Sequence, residues 1–428
     1  MTPRSDDFLE RGGAGRLAAP AAPPDADLAG HPNERGLSRR EFVTRAAMAG
    51  AATIAPFTFL RSAVATSPDL ESFVRDKVRS IGTPGAAFAV VRGEQIVWSM
   101  GTGWANIERK IRATPDTQFM LASVSKTITC AGIMTLVEDG VLDLDANIDR
   151  YLPFEVHIPT ARHVPITLRR LLTHTSAIRD RYNVWGTPSS RPTLYFHGDS
   201  PISLGQMMRS YYVPGAKRYS ERGNFYERKP GAAYSYSNLA VALAGYVAEA
   251  ASGVDFDTLC RDRIAKPLGM TDSGFRLADL TDRDDVAMPY HFNQHTGDLR
   301  SYFQYGYPDY PDGAFRTSAL HLATWLGAFM NFGKIRGRQV LSRSTVQEIR
   351  RNQIPNVVGW HQGLIWYGGS PNGYFRMGHT GGDYGVSTRM FFRPDRRVGV
   401  VSLTNSYCGG KRWDGFRDIE LRLFKAFS

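Results

Sequence analysis

The chain is poor in cysteine and in lysine. Its three cysteines, Cys130, Cys260 and Cys408, have no metal-ligand spacing, and an odd number cannot all pair with one another. That argues against a fold stapled by disulfides or a thiolate metal centre, and Cys130 reads most simply as a small buried residue. No metal site and no cofactor is expected. No apolar stretch after Thr66 reaches the ~20 residues that a membrane-spanning helix needs, and no internal repeat is visible. Basic residues nowhere run together with interleaved aromatics, so a nucleic-acid partner is not expected despite a net charge of +11. Nine of the 52 basic residues are lysines, and one of them, Lys126, is the only charged residue between Thr117 and Val137.

The first 65 residues differ from the rest. Ser38-Arg39-Arg40-Glu41-Phe42-Val43 is a twin-arginine pattern, followed by an uncharged Ala-rich stretch from Ala46 to Leu60 and by Ala63-Val64-Ala65, a small-x-small cleavage site. The expectation is a disordered N-terminus plus export signal over 1–65, a mature chain from about Thr66, and a periplasmic or extracellular location. Cell-wall polymers such as peptidoglycan, or an anionic membrane surface, suit a basic exported chain. The sequence does not fix the oligomeric state.

Along residues 66–428, Asp69 to Arg79 reads as an amphipathic helix, and Gly85–Val91 with Gln95–Met100 as a strand pair around Arg92-Gly93-Glu94. A largely buried helix is expected between Thr117 and Val137, and a second one from Ile166 that ends near His174. Residues 179–231 and 290–313 are irregular and rich in aromatics, which suggests a cover that binds apolar or sugar faces. Helical spacing returns at Leu239–Ala251, Phe256–Ile264, Ser318–Phe332 and Ser344–Arg351. Strand patterns follow at Gly363–Tyr367, Phe375–Thr380, Ser387–Phe392 and Val398–Thr404, before a closing helix from Trp413 to Phe427. These elements predict an α+β fold in one hydrolase domain: an antiparallel sheet from both chain ends (about 66–118 and 355–428) flanked by helices, with a mainly helical insertion (about 119–354).

Ser123 and Lys126 stand three residues apart, so on a helix they project to one side. Burial lowers a lysine pKa and lets the amine accept a proton from a neighbouring serine, which is the requirement of covalent catalysis. Two further stretches add to this pair. Tyr236-Ser237-Asn238 leads into the helix at Leu239 with Asn238 in an N-cap position; a phenol beside Lys126 would be favoured as phenolate and could exchange a proton with Ser123. Gly378-His379-Thr380-Gly381-Gly382 lies near a strand pattern, where glycines permit close approach and an open edge could supply an amide hydrogen to an oxyanion.

In that order the three motifs resemble those of the penicillin-recognising serine hydrolases, most closely the class C β-lactamase-related branch with its D,D-peptidases, D-aminopeptidases and esterases. Leu171-Leu172-Thr173-His174-Thr175-Ser176, Pro267-Leu268-Gly269-Met270, Arg316-Thr317-Ser318 and Phe391-Phe392-Arg393-Pro394 are similar to family text as well. The resemblance implies the β-lactamase/transpeptidase-like fold, Ser123 as acyl-enzyme nucleophile, and Lys126 with Tyr236 as the proton-handling pair. It implies that Asn238 orients Lys126 or the substrate, that His379 and Thr380 line the substrate along Gly381, that the amides of Ser123 and Gly382 form the oxyanion hole, and that His174 is structural. The departure is His379, where lactam-binding relatives usually carry lysine. Histidine is mostly neutral at pH 7, which moves weight from β-lactams towards esters, amides or peptides; Arg389 is the alternative cation. Two functions follow: a serine hydrolase of a small-molecule or peptide substrate, with D,D-carboxypeptidase and β-lactamase as variants, or a non-hydrolytic penicillin-binding-like protein that acylates slowly or only binds peptidoglycan.

Overall fold

A computed structural model describes residues 68–428 apart from 182, 183, 191, 192 and 294. The expected export signal and the boundary at residue 65 lie outside the described residues. The chain begins with helix α1 (Pro68–Ser80), whose first turn carries Asp69 and Glu71 and whose last turn carries Lys77 and Arg79. Each sign opposes the partial charge of its helix end. Strands β1 (Gly85–Arg92), β2 (Gln95–Asn106) and β3 (Ile111–Arg112) follow. Helices α2 (Ser125–Glu138), α3 (Leu168–Leu172), α4 (Leu204–Tyr212), α5 (Asn238–Ser252), α6 (Phe256–Cys260), α7 (Ala319–Met330) and α8 (Arg343–Arg350) fill the middle. The end supplies β4 (His361–Gln362), β5 (Tyr367–Gly369), β6 (Arg376–Asp383), β7 (Val386–Arg393), β8 (Val398–Thr404) and helix α9 (Lys411–Phe427).

The sheet runs β4-β5-β6-β7-β8-β1-β2-β3, and every neighbouring pair is antiparallel. The two chain ends therefore meet at β1 and β8, in register from Ala86 opposite Thr404 to Arg92 opposite Val398. Strand β1 is apolar almost throughout because both of its faces are covered. Ala87, Ala89 and Val91 pack into the core shared with the helical insertion, and Ala86, Phe88 and Val90 into a second core under α1 and α9.

Several boundaries move. The long helix starts at Ser125, not near Thr117, because Phe119–Met120 is a short strand paired with Arg316–Thr317 and Ala122–Val124 form a 3-10 turn. Asn238 is not the N-cap of α5; Ser237 is, accepting the Ala240 N–H at its hydroxyl, and Gly253 closes the helix at φ +67°. The helix before His174 is a five-residue piece. The aromatic tract at 290–313 does not present its rings as an open surface: Tyr305 and Tyr307 are buried, both edge-on to Tyr195. Among the described residues no single helix is long and apolar enough to cross a membrane.

Candidate active site

Ser123 sits on the turn between the short strand and α2, half-buried, with Lys126 fully buried one helical turn on. The residue before it, Ala122, holds φ +46°, a left-handed conformation that costs a non-glycine residue about 1–2 kcal/mol. Three hydrogen bonds to two sequence-distant segments hold it there. Leu121 N–H donates to the Phe315 carbonyl at 2.8 Å, Phe315 N–H donates to Ser125 Oγ at 3.1 Å, and Thr388 Oγ1 on β7 donates to the Leu121 carbonyl at 2.6 Å.

Lys126 Nζ has three partners: Ser123 Oγ at 3.0 Å, Asn238 Oδ1 at 2.7 Å and the Asp312 carbonyl at 2.5 Å. As an ammonium it spends one hydrogen on each. As an amine it keeps two hydrogens, which suit Asn238 Oδ1 and the Asp312 carbonyl because those atoms only accept. Its lone pair is then left for the one partner that carries a hydrogen, Ser123. Burial lowers the Lys126 pKa, opposed by Asp312, Asp180, Asp309 and Asp383 in turn, so the neutral form is accessible.

Asn238 is fixed by Asp180. The Asp180 carboxylate accepts from Ser237 Oγ at 2.7 Å, from Asn238 N–H at 2.7 Å and from Leu239 N–H at 3.1 Å, capping α5 with an anion where the helix dipole favours one. Tyr236 hydrogen-bonds Ser123, and Lys126 Nζ lies 5.2 Å from its ring centroid. Burial raises its pKa, so the resting group is a phenol; the phenolate expected from the nearby cation loses to desolvation. His174, at φ +56°, packs its ring on Tyr236 with centroids 4.3 Å apart and accepts the Ser237 N–H at Nδ1. Burial lowers its pKa well below the ordinary range. It is a neutral support for the Tyr236 loop.

Strand β6 forms the other wall. Its pairing with β5 ends at Gly378 opposite Tyr367, so His379 to Asp383 have an open edge on that side. A Cβ at Gly381 would lie 2.3 Å from Thr388 Oγ1, 2.4 Å from the Leu121 carbonyl and 3.0 Å from Ser123 N, so only glycine lets this strand close on the nucleophile turn. That contact sets the Ser123 amide against the strand that carries Gly382. His379 is buried, its ring 6.3 Å from Tyr236, with Nδ1–H donating to the Thr380 carbonyl. Burial first, and the Lys126 cation next, bring its pKa down to about 3. It is therefore neutral at pH 6 as well as at pH 7, further from titration than an ordinary histidine.

Two expected contacts differ. The Thr380 hydroxyl pairs with Tyr367 Oη at 3.0 Å, and Thr380 alternates onto the sheet face opposite His379. Arg389, opposite Thr380 in register, is buried on that same face, with Nε on Glu420 Oε2 of α9 at 2.7 Å and its guanidinium over Trp413. It cannot serve as the substrate cation, because the sheet separates it from Ser123. Sequence reasoning missed the acids: Asp180, Asp309, Asp312 and Asp383. They occur singly, and only the fold gathers them.

Similarity to known proteins agrees with this architecture. A family model described as Beta-lactamase matches residues 70–415. Esterase EstB of Burkholderia gladioli is 30% identical over 245 residues, 57% of this chain and 59% of that protein. The octameric penicillin-binding protein homologue from Pyrococcus abyssi superposes with TM-score 0.68 at 25% identity, covering 83% of this chain and 77% of that one. D-amino acid amidase from Ochrobactrum anthropi SV3, solved with L-phenylalanine amide, has TM-score 0.65 at 20% identity over 84% of this chain and 100% of its own, a likeness of fold. The chain spans about three fifths of the length of the curated relatives it matches.

Proposed function

We infer the activity from the premise that the chain belongs to the Beta-lactamase family, a family of serine hydrolases that includes esterases and amidases. This chain hydrolyses an ester or amide bond through an acyl-enzyme on Ser123. One observation carries the reading: Lys126 Nζ has two partners that can only accept and one, Ser123, that can donate. The neutral amine takes the Ser123 proton as Oγ attacks the substrate carbonyl. The developing oxyanion is met by the amides of Ser123 and Gly382. Tyr236, hydrogen-bonded to Ser123, gives its phenolic proton to the leaving group, and the proton that Lys126 took from Ser123 then passes to the phenolate, restoring the neutral amine and the phenol. Water then repeats the sequence on the acyl-enzyme.

A neutral His379 and an Arg389 turned to the far face favour uncharged acyl groups over the carboxylate-bearing substrates of β-lactamases and D,D-carboxypeptidases. The motif spelling supports the class C-related branch. Ser38-Arg39-Arg40 with its Ala-rich stretch supports export by the twin-arginine route, for which Arg39→Lys with Arg40→Lys would hold the precursor in the cytoplasm; export that persists without the twin-arginine translocase refutes it. For the activity, a fluorophosphonate probe should label Ser123, and Ser123→Ala should abolish both labelling and turnover of p-nitrophenyl esters. Labelling at another residue of active protein overturns the reading.

A further inference from the structure

The acids around Ser123 point to the charge of the substrate. Along β6, His379, Gly381 and Asp383 alternate onto one face. His379 faces Tyr236 and Gly381 faces Ser123, so Asp383 projects on the same side, two residues or about 6.6 Å beyond Gly381. Asp383 is half-buried, and its carboxylate is framed by tyrosines. Oδ1 accepts the Tyr384 N–H at 2.8 Å and the Tyr195 hydroxyl at 3.5 Å, and Tyr307 also hydrogen-bonds the carboxylate. Tyr195 and Tyr384, themselves half-buried, stand edge to face with centroids 5.2 Å apart, and buried Tyr305 and Tyr307 back them.

The surrounding charges leave this carboxylate available. Lys126 is committed to Ser123, Asn238 and the Asp312 carbonyl, and the buried Arg316 donates to the carbonyls of Phe275, Ala314 and Tyr305. Asp309 and Asp312 hydrogen-bond each other, so the pair keeps a proton yet stays anionic. Asp180 is a further anion at the start of α5. A carboxylate bordered by aromatic rings in a negative surrounding attracts a cation by charge and by the ring quadrupoles.

We propose that Asp383, with Tyr195 and Tyr384, is a specificity subsite that selects acyl groups bearing an ammonium-type cation. The proposal rests on the hydrolase reading above and adds the charge of its substrate. Burial, with nearby Asp309, pushes the Asp383 carboxyl up to about 6; burial raises the surrounding phenols as well, so they stay neutral. The subsite is charged at pH 7.5 and largely discharged at pH 5.

The test compares p-nitrophenyl 4-(trimethylammonio)butanoate, whose charge does not titrate, with its carbon isostere p-nitrophenyl 5,5-dimethylhexanoate. The native protein should favour the cationic ester in kcat/KM by about tenfold at pH 7.5, and the ratio should shrink at pH 5. Asp383→Asn should bring the ratio near one, and Asp383→Glu should restore part of it. Both esters are measured on the same sample, so partial misfolding cancels. Binding is read separately by calorimetry of the two corresponding primary amides on the Ser123→Ala protein, with and without Asp383→Asn. Cation-selective binding that depends on Asp383 without any Ser123-dependent turnover would sink the hydrolase reading and leave the subsite standing. Equal affinity for the two amides, or a preference that Asp383→Asn leaves in place, overturns the subsite.

Discussion

Replacing Lys126 by methionine separates the chemistry from the fold. The substitution removes a buried amine and leaves Asn238 Oδ1 and the Asp312 carbonyl without that donor. Losing two such bonds costs about 2–6 kcal/mol. Removing a fully buried ammonium returns a desolvation penalty of several kcal/mol, and methionine roughly conserves the volume. The two effects oppose each other, and a net change within about 2 kcal/mol is expected at pH 7. Activity has no such offset: without the base, kcat/KM for a p-nitrophenyl ester should fall by about 10²–10⁴. The pH dependence gives a second reading. The native Lys126 pKa is lowered from the ordinary 10.5, so between those two values the unfolded chain holds a proton that the folded one does not. Stability of the native protein relative to the methionine variant should therefore rise with pH across that window, by about 1.4 kcal/mol per unit, and be flat below it. Urea unfolding at several pH values measures this. The rate profile of the native protein should show an acid limb from the same group, and the variant should lack it. A variant that acylates within tenfold of the native rate would refute the role assigned to Lys126.

Two further substitutions test the frame around the site. Gly381→Ala places a methyl group 2.4 Å from the Leu121 carbonyl and 2.3 Å from Thr388 Oγ1; it should cost about 1–3 kcal/mol of stability and slow fluorophosphonate labelling at least tenfold, and native labelling kinetics would contradict the close approach. Glu420→Gln removes the anion shared by Arg376 and Arg389 in the second core, leaving two buried guanidiniums without it, so urea unfolding should report a loss of about 3–5 kcal/mol; a loss under about 1 kcal/mol would show that the pairing adds little.

What the sequence made legible follows from the kind of information each feature needs. The sheet from both chain ends could be read because β1 and β8 are short apolar runs between turn residues, and Ser123, Lys126, Tyr236 and Asn238 could be read because local motifs carry them. The start of α2 could not. Residues 117–124 have helical periodicity, but the pairing of Phe119–Met120 with Arg316–Thr317 and the positive φ of Ala122 override it, and both depend on segments nearly 200 residues away. The facing of Arg389 depends on strand parity, which is fixed by register; a shift of one residue would have turned it towards Ser123. Asp180 lies between Arg179 and Arg181 in the chain, where it reads as one charge in a mixed loop. Its function as the cap of α5 exists only when residues 237–239 arrive.

The placement of those acids explains why a lysine can work in this position. Burial in apolar surroundings alone would depress the amine until it held its proton too weakly to take one from a serine hydroxyl. Polar contact with water alone would leave it an ammonium at neutral pH. Lys126 has neither environment. It is enclosed on all sides, yet four carboxyl-bearing residues act against the desolvation, and both the charged and the neutral form have enough hydrogens to donate to Asn238 and to the Asp312 carbonyl. The same acids disfavour an anion approaching from outside, and the neutral His379 does nothing to reverse that. One set of side chains thus sets both the proton affinity of the base and the sign of the charge that the cleft accepts, so a change that draws in carboxylate substrates by removing Asp309 or Asp383 should also lower the proton affinity of Lys126.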